Sequence, residues 1–174
     1  MSVLGAILAG GQARRFGSDK ALAILDGATL IDRVAASLSG QVDAVVLCGR
    51  TGGIADRPAG IGPLGGIAAA IHEARDRGCA GVVTLPCDTP VLPHDLVGLL
   101  TVFGGAAVVD AIPVIGYWPA TLADSIDAHI ADPGDHSIRR WSRAIGAEAV
   151  TLPISIANIN TRADLDALAV TISD

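Results

Sequence analysis

Short apolar runs alternate along the chain with longer segments in which apolar residues recur every three or four positions. The short runs are typical of buried strands, and the three-to-four-residue recurrence is typical of helices that cover a sheet. Strands are predicted at residues 3–8, 42–48, 81–85, 106–109, 112–117 and 149–152. Helices are predicted at about residues 30–38, 63–77, 94–100, 119–131, 137–146 and 162–169. This alternation indicates an α/β domain with a largely parallel sheet.

Local signals refine the ends and the burial of these elements. Thr29 and Thr161 stand where a helix N-cap is expected, and Pro63 stands at a first helical turn. The run Val45-Val46-Leu47 contains no polar residue. It therefore predicts a strand that is buried on both faces of the sheet.

The composition narrows the class of protein. A chain of 174 residues is expected to form one domain, spanning residues 1–174. Although 51% of its residues are hydrophobic, no apolar run approaches the roughly 20 residues that span a bilayer. The net charge of −6 argues against a nucleic acid or an acidic membrane as partner.

The three cysteines, Cys48, Cys79 and Cys87, form neither a metal-ligand pattern nor a disulfide framework. We expect them to be small buried hydrophobic residues. Free cysteines and an N-terminal apolar run too short for a secretory signal together predict a cytoplasmic protein.

A glycine-rich loop follows the first predicted strand and occupies residues 8–20. Gly10 and Gly11 lack a Cβ, so their backbone amides can approach and line the surface of a bound anion. The loop also carries three basic residues, Arg14, Arg15 and Lys20. Because open α/β sheets bind ligands at the carboxyl ends of their strands, this loop is predicted to hold a polyphosphate.

Two aspartates are placed near other strand ends. Asp88 follows the strand at 81–85, and Asp56 lies in the loop after the strand at 42–48. Asp88 supplies the hard oxygen that Mg²⁺ prefers. A helix cap for Asp88 and a solvated loop carboxylate for Asp56 are the structural alternatives.

Four motifs carry a resemblance to a known family. They are Leu8-Ala9-Gly10-Gly11 with Arg15, Gly17, Asp19 and Lys20; Gly62-Pro63-Leu64-Gly65-Gly66; Pro86-Cys87-Asp88-Thr89-Pro90 with Leu92-Pro93; and Asn158-Ile159-Asn160-Thr161 with Asp164-Leu165. In this order they resemble the signature of nucleotidyltransferases of the molybdenum cofactor guanylyltransferase (MobA) type. A lone glycine-rich loop would be weak evidence, whereas an ordered series that spans the chain is specific.

The resemblance implies a Rossmann-like nucleotidyltransferase fold with a mostly parallel central sheet and helices on both faces. It implies that GMP is transferred from GTP to the terminal phosphate of molybdopterin (molybdenum cofactor), with release of pyrophosphate and with Mg²⁺ as cofactor. Transient contact with molybdoenzyme assembly proteins is a further expectation.

The resemblance also assigns roles to residues. Lys20 falls on the motif lysine and Arg15 is a second cation for the triphosphate, while Asp88 matches the metal-site aspartate. The nucleotide-binding set is Leu8, Ala9, Gly10, Gly11, Lys20, Asp56 and Asp88.

Asn158 and Asn160 fall on the cofactor-substrate side of the cleft, where Arg139 and Arg140 are candidates for a phosphate or the pterin. Structural alternatives are a turn former for Asn158, a helix-entry residue for Asn160 and a solvated helix face for the arginines. Trp141 is expected to pack in the core.

Two other functions stay open. One is a related transferase that uses CTP or a sugar phosphate, although the Gly10-Gly11 pair favours guanine because the CTP-using relatives tend to carry alanine before a single glycine. The other is a non-catalytic module that binds cofactor or a partner enzyme. Intact Lys20 and Asp88 argue against such a module, whereas a segment at 104–119 that is short for the family argues for it.

Overall fold

The computed structural model describes residues 2–10, 19–132, 134, 136–154 and 156–173. The predictions made for Gly11, Arg14 and Arg15 lie outside these residues. Within these ranges, no helix is both apolar enough and long enough to pass through a lipid bilayer.

A six-stranded sheet forms the centre of the molecule. Its strands are β1 (Val3–Leu8), β4 (Ala44–Cys48), β5 (Gly81–Pro86), β6 (Ala107–Val109), β7 (Gly116–Pro119) and β8 (Glu148–Val150). Their order across the sheet is β4-β1-β5-β7-β6-β8. All neighbours pair in parallel except β7, which runs antiparallel to both β5 and β6. The predicted α/β fold with a mostly parallel sheet is confirmed.

A separate two-stranded hairpin, β2 (Ile24–Leu25) and β3 (Ala28–Thr29), follows a short 3-10 turn at Lys20–Leu22. The helices are α1 (Leu30–Ser39), α2 (Pro63–Asp76), α3 (Leu96–Thr101), α4 (Ala123–Ala131), α5 (Ile138–Ala144) and α6 (Arg162–Ser173). The predicted N-caps are confirmed: the Thr29 hydroxyl accepts from Asp32 N at 3.2 Å, and that of Thr161 accepts from Asp164 N at 3.2 Å.

Several predicted boundaries differ from the structure, and two of them illustrate the local detail that the pattern misses. The strand predicted at 112–117 begins only at Gly116, because Ile115 N donates to the Ile112 carbonyl at 2.8 Å and closes a turn there. The helix predicted from residue 119 starts as a 3-10 turn at Ala120–Leu122 and becomes α-helical at Ala123.

Alternate residues of the strands point to opposite faces of the sheet and form two cores. On one face, Val3 and Ile7 of β1 pack in a cluster with residues of α1 and α3. On the other, Leu4 and Ala6 join a cluster with residues of α2, α4 and α5. Trp141 lies in this second core, 1% exposed, with its ring centroid 4.9 Å from that of Trp118, so the predicted core packing is confirmed.

The prediction that Val45, Val46 and Leu47 are buried on both faces is wrong. All three are only half-buried. The reason is that β4 is the outermost strand on one side of the sheet, where the described part of the chain adds no further strand.

A third, smaller cluster lies beside the hairpin. Leu25, Leu30 and Ile159 are each at most 1% exposed, and Leu165 and Leu168 pack against them. The cluster therefore joins the hairpin that follows the glycine-rich loop to the Asn158–Thr161 motif, which is distant in the sequence.

The buried hydroxyl of Thr84 in β5 forms hydrogen bonds with both Val114 and Trp118. Its hydroxyl donates to the Val114 carbonyl at 2.7 Å and accepts from Trp118 Nε1 at 2.9 Å, and the residue is fully buried. Thr84→Val is expected to lower the free energy of unfolding by about 1–3 kcal/mol in a urea titration, because both partners lose their bond. Thr101→Val, at a half-buried helical site, is the control, and equal midpoints for the two variants would contradict the expectation.

Candidate active site

Lys20 and Asp88 meet at the carboxyl end of the central strands. β5 ends at Pro86, and Cys87 N donates to the Leu8 carbonyl of β1, which places Asp88 beside the end of that strand. Lys20 Nζ donates to Asp88 Oδ2 at 2.6 Å, and the two side chains are 13% and 17% exposed. Lys20 is also the only lysine in the sequence. The structure thus brings together the two residues that the motifs placed at the centre of the site.

The C-terminal motif adds a third residue to this pair. Ile159 N donates to the Asp88 carbonyl at 3.0 Å, and Asn160 Oδ1 accepts from Lys20 Nζ at 3.3 Å. Asn160 and Thr161 donate their backbone amides to the Asp164 carboxylate, which lowers the pKa of Asp164. Asn160 therefore lies against the Lys20–Asp88 pair.

Asn158 is exposed, as Asn160 is. No hydrogen bond joins the Asn158 side chain to the part of the chain that the structure describes.

Gly10 approaches the loop after β4 very closely. Ala9 N donates to the Cys48 carbonyl at 2.9 Å. A Cβ on Gly10 would lie 3.1 Å from Gly49 Cα and 3.0 Å from Asp56 Oδ2. A side chain at Gly10 would therefore press against both, which explains why the LAGG motif needs glycine here.

Asp56 packs against a surface built of glycines. Its carboxylate faces the positions where a Cβ would stand on Gly10, Gly49 and Gly66. No hydrogen bond reaches this carboxylate from the described residues. Burial raises the pKa of Asp56 above its ordinary value. A carboxylate that has no hydrogen bond from the described residues and lies beside Gly10 is suited to receive a ligand rather than to stabilise the fold.

The raised pKa gives a pH-dependent prediction. A carboxyl whose pKa is raised by burial binds its proton more tightly in the folded than in the unfolded chain. Its charged form therefore lowers the stability of the fold. This loss is complete above the folded pKa and absent below the ordinary pKa of 3.8. Asp56→Asn is therefore expected to raise the melting temperature at pH 7, and the gain is expected to vanish below about pH 3.8. Calorimetry across this range measures it.

Asp166→Asn, at an exposed position of α6, serves as the control. A melting temperature of Asp56→Asn at or below that of the wild type at pH 7 would contradict the expectation.

An ion pair that the sequence motifs did not reveal flanks the lysine. Arg50 donates to Asp19 through both terminal nitrogens, at 3.0 and 2.6 Å. The hydrogen bonds and charge of Arg50 lower the pKa of Asp19. Donation of the same bonds to Asp19 raises the pKa of Arg50. Asp19 belongs to the first motif, but Arg50 lies 31 residues away and no spacing rule pairs them.

The site offers oxygen ligands to a divalent cation. Asp88 Oδ1 is buried and has no hydrogen-bond partner among the described residues, so it is an acceptor available to a metal ion. The alternative of a helix cap finds no support, since the Asp88 carboxylate binds Lys20 and α3 begins only at Leu96. Within the described ranges, no group of three or more His, Cys, Asp or Glu is arranged around a metal position.

Arg139 lies at the same edge of the sheet but in another ion pair. It donates to the Asp110 carbonyl at 2.8 Å and to the Asp110 carboxylate at 3.3 Å, just after β6. β6 runs parallel to β5, because each is antiparallel to β7, so Asp110 and Asp88 follow strands that end at one edge. Arg140 is exposed.

The fold and this site together define a class of protein. A Rossmann-like sheet, a glycine-rich sequence after its first strand and a lysine–aspartate pair at the strand ends are the features of a nucleotidyltransferase. Residues 5–149 match the family described as MobA-like NTP transferase domain. The chain belongs to this family, which confirms the resemblance carried by the four motifs.

Relatives and solved structures agree with this assignment. The chain is 38% identical over 181 residues to the molybdenum cofactor guanylyltransferase of Acidiphilium cryptum, covering 92% of this chain and 91% of the relative. It is 37% identical to that of Rhodobacter capsulatus, covering 95% and 94%. The crystal structure of molybdopterin-guanine dinucleotide biosynthesis protein A from Archaeoglobus fulgidus has the same fold, with a TM-score of 0.77, 24% identity and 98% coverage of both chains.

Proposed function

We propose that this nucleotidyltransferase transfers GMP from GTP to molybdopterin, forming the guanine dinucleotide cofactor and releasing pyrophosphate. The observation that carries the proposal is the meeting of Lys20, Asp88 and Asn160 at the edge where β1 and β5 end. The names of the relatives support the substrate pair.

The residues of the chain would contribute mainly position and charge. Attack of a phosphate oxygen on the α-phosphorus of GTP breaks the bond to pyrophosphate, and its transition state is stabilised by cations aimed at the phosphate oxygens. Lys20 would supply such a cation: its Nζ lies 2.6 Å from Asp88 Oδ2 and would exchange this carboxylate for a phosphate oxygen. Gly10 lies close against Gly49 because it has no side chain, and its backbone would face the triphosphate.

Asp88 would hold Mg²⁺ in this reaction, and Asp56 is the candidate for a second ligand. Asp88 offers the unpartnered Oδ1 and Asp56 offers a carboxylate without a hydrogen bond from the described residues. When bound, Mg²⁺ would neutralise phosphate charge and favour departure of pyrophosphate.

The second substrate is expected further along the same edge. Asn158 and Asn160 lie in the motif assigned to the cofactor side, and Arg139 is held by Asp110 after β6. Because Arg139 NH1 is 3.3 Å from an exposed carboxylate, an incoming phosphate can replace that contact at little cost.

Two measurements test this function. Titration of GTP, CTP and ATP in the presence of Mg²⁺ is expected to show a preference for GTP. Preference for CTP would instead favour a cytidylyltransferase, and binding of nucleotide without transfer to molybdopterin would favour a non-catalytic module.

The second measurement is chemical labelling of Lys20, which is the only lysine in the sequence. A GTP derivative with an acyl group on its terminal phosphate is expected to acylate Lys20, with release of GTP, and mass spectrometry of peptides reads the product. Excess GTP is expected to protect Lys20 whereas GMP is not, and labelling that GTP leaves unchanged would contradict the placement of the triphosphate.

A further inference from the structure

Two consecutive residues of opposite charge form ion pairs with partners on the two sides of the first strand of the sheet. Asp19 binds Arg50, which follows β4, and Lys20 binds Asp88, which follows β5. β1 lies between β4 and β5 in the sheet. The backbone that enters the Lys20–Leu22 turn is therefore tied to both neighbours of β1, one ion pair to each.

Arg50 is itself held in place before it meets Asp19. Its carbonyl accepts from Gly53 N at 3.0 Å, and Gly49 N donates to the Ile54 carbonyl at 2.8 Å, so the loop is closed on both sides of the arginine. Its side chain is 22% exposed, and its two nitrogens bind the two oxygens of Asp19 as a fork. An arginine in this geometry fixes both the position and the plane of a carboxylate.

Asp19 passes this constraint to the next residue. The same carboxylate accepts from Ala21 N at 3.2 Å and so caps the turn that Lys20 begins. A lysine ammonium is attached to the backbone through four flexible carbons. Holding it at one point costs conformational entropy, and more so when the backbone is not already fixed. The Arg50 fork is therefore well placed to reduce that cost.

We infer that Arg50 and Asp19 are positioning residues that act on the Lys20 ammonium. Arg50 fixes Asp19, Asp19 fixes the first turn, and the turn directs Lys20 toward Asp88 or toward a bound triphosphate. The triphosphate in this inference rests on the proposed function, whereas the placement of Lys20 can be measured without any ligand.

The ligand-free test uses the single lysine. Protein grown with lysine labelled with ¹³C at the ε carbon gives one lysine side-chain signal, which comes from Lys20. Arg50→Ala and Asp19→Asn are expected to move and broaden this signal in the same way, and the double variant is expected to match either single one. Arg50→Lys, which keeps the charge but loses the fork, is expected to restore the signal only in part.

Arg77→Ala is the matched control, because it removes an arginine from a 2.6 Å ion pair on α2 with Glu73. It is expected to leave the Lys20 signal unchanged. An unaltered signal in Arg50→Ala and Asp19→Asn would overturn the inference, whatever nucleotide the protein binds.

The second test separates positioning from direct contact of Arg50 with nucleotide. Both single variants are expected to bind GTP about ten-fold more weakly than the wild type, because the affected lysine would bind the outer phosphates. Their affinity for GMP is expected to equal that of the wild type. The double variant is expected to be no weaker than either single one, since the two residues act as one unit. Loss of GTP affinity in Arg50→Ala alone, with Asp19→Asn unchanged, would instead indicate direct contact and overturn the inference.

A wild-type protein that binds no GTP would refute the proposed function rather than the positioning. In that case the lysine signal alone decides between positioning by the Arg50–Asp19 pair and a merely local ion pair.

Discussion

A Lys20→Met protein is expected to transfer nucleotide at least about a hundred-fold more slowly than the wild type, because one preorganised cation is lost from the phosphates. Methionine keeps the length of the apolar stem, so the fold is expected to persist. The same change frees Asp88 Oδ2, which Lys20 holds at 2.6 Å. Mn²⁺ without nucleotide is therefore expected to bind the variant more tightly, which electron paramagnetic resonance measures directly.

Arg75→Met is the control for this variant. Arg75 forms a comparable 2.9 Å ion pair with Asp124 on an exposed surface, and its loss is expected to change neither the rate nor the affinity for Mn²⁺. A Lys20→Met protein that turned over at the wild-type rate would refute the role of Lys20. Weaker binding of Mn²⁺ to that variant would refute the competition between Lys20 and a metal ion for Asp88.

Gly49→Ala is expected to lower the free energy of unfolding by at least about 2 kcal/mol, the size expected for strain at positive φ plus a backbone clash. Gly49 has φ +77°, and an added Cβ would lie 2.6 Å from Gly10 Cα and 2.8 Å from Gly10 N. These are backbone atoms of Gly10 and cannot rotate away. Displacement of Gly10 is therefore expected to abolish GTP binding, which calorimetry measures together with stability.

Gly52→Ala separates the two causes. Gly52 has φ +83° but no atom of the described residues lies within 4 Å of its added Cβ, so this variant carries the strain without the clash. It is expected to lose roughly 1 kcal/mol and to keep its affinity for GTP. Equal losses in both variants would contradict the close approach of Gly49 to Gly10.

Much of the site could be predicted from the sequence because its residues occur in local patterns. The glycines after the first apolar run predict a ligand loop, and two separate motifs point to Lys20 and Asp88, which the structure holds 2.6 Å apart. Both threonine caps were predicted because capping depends on residues only three positions apart. What these patterns have in common is that their physical cause lies within a few residues.

The features that escaped prediction depend on partners distant in the chain. β7 lies between β5 and β6 and runs antiparallel to both. The hydrophobic pattern of a single strand does not reveal this. Val45 to Leu47 have the composition of a central strand, yet β4 lies at the edge. The pairing of Arg50 with Asp19, and of Asn160 with Lys20 across 140 positions, follows from the packing of loops that carry no periodic signal.

The small cluster of Leu25, Leu30 and Ile159 has a consequence for the order in which the protein is made. On the ribosome, Leu25 and Leu30 emerge early, whereas Ile159 is translated only after the last strand of the sheet, Glu148–Val150. Until then these leucines lack their partner, and Lys20 lacks Asn160. The last strand of the sheet is therefore translated before Ile159 and Asn160, so residues near the N-terminus wait for some of the last residues synthesised to complete their surroundings.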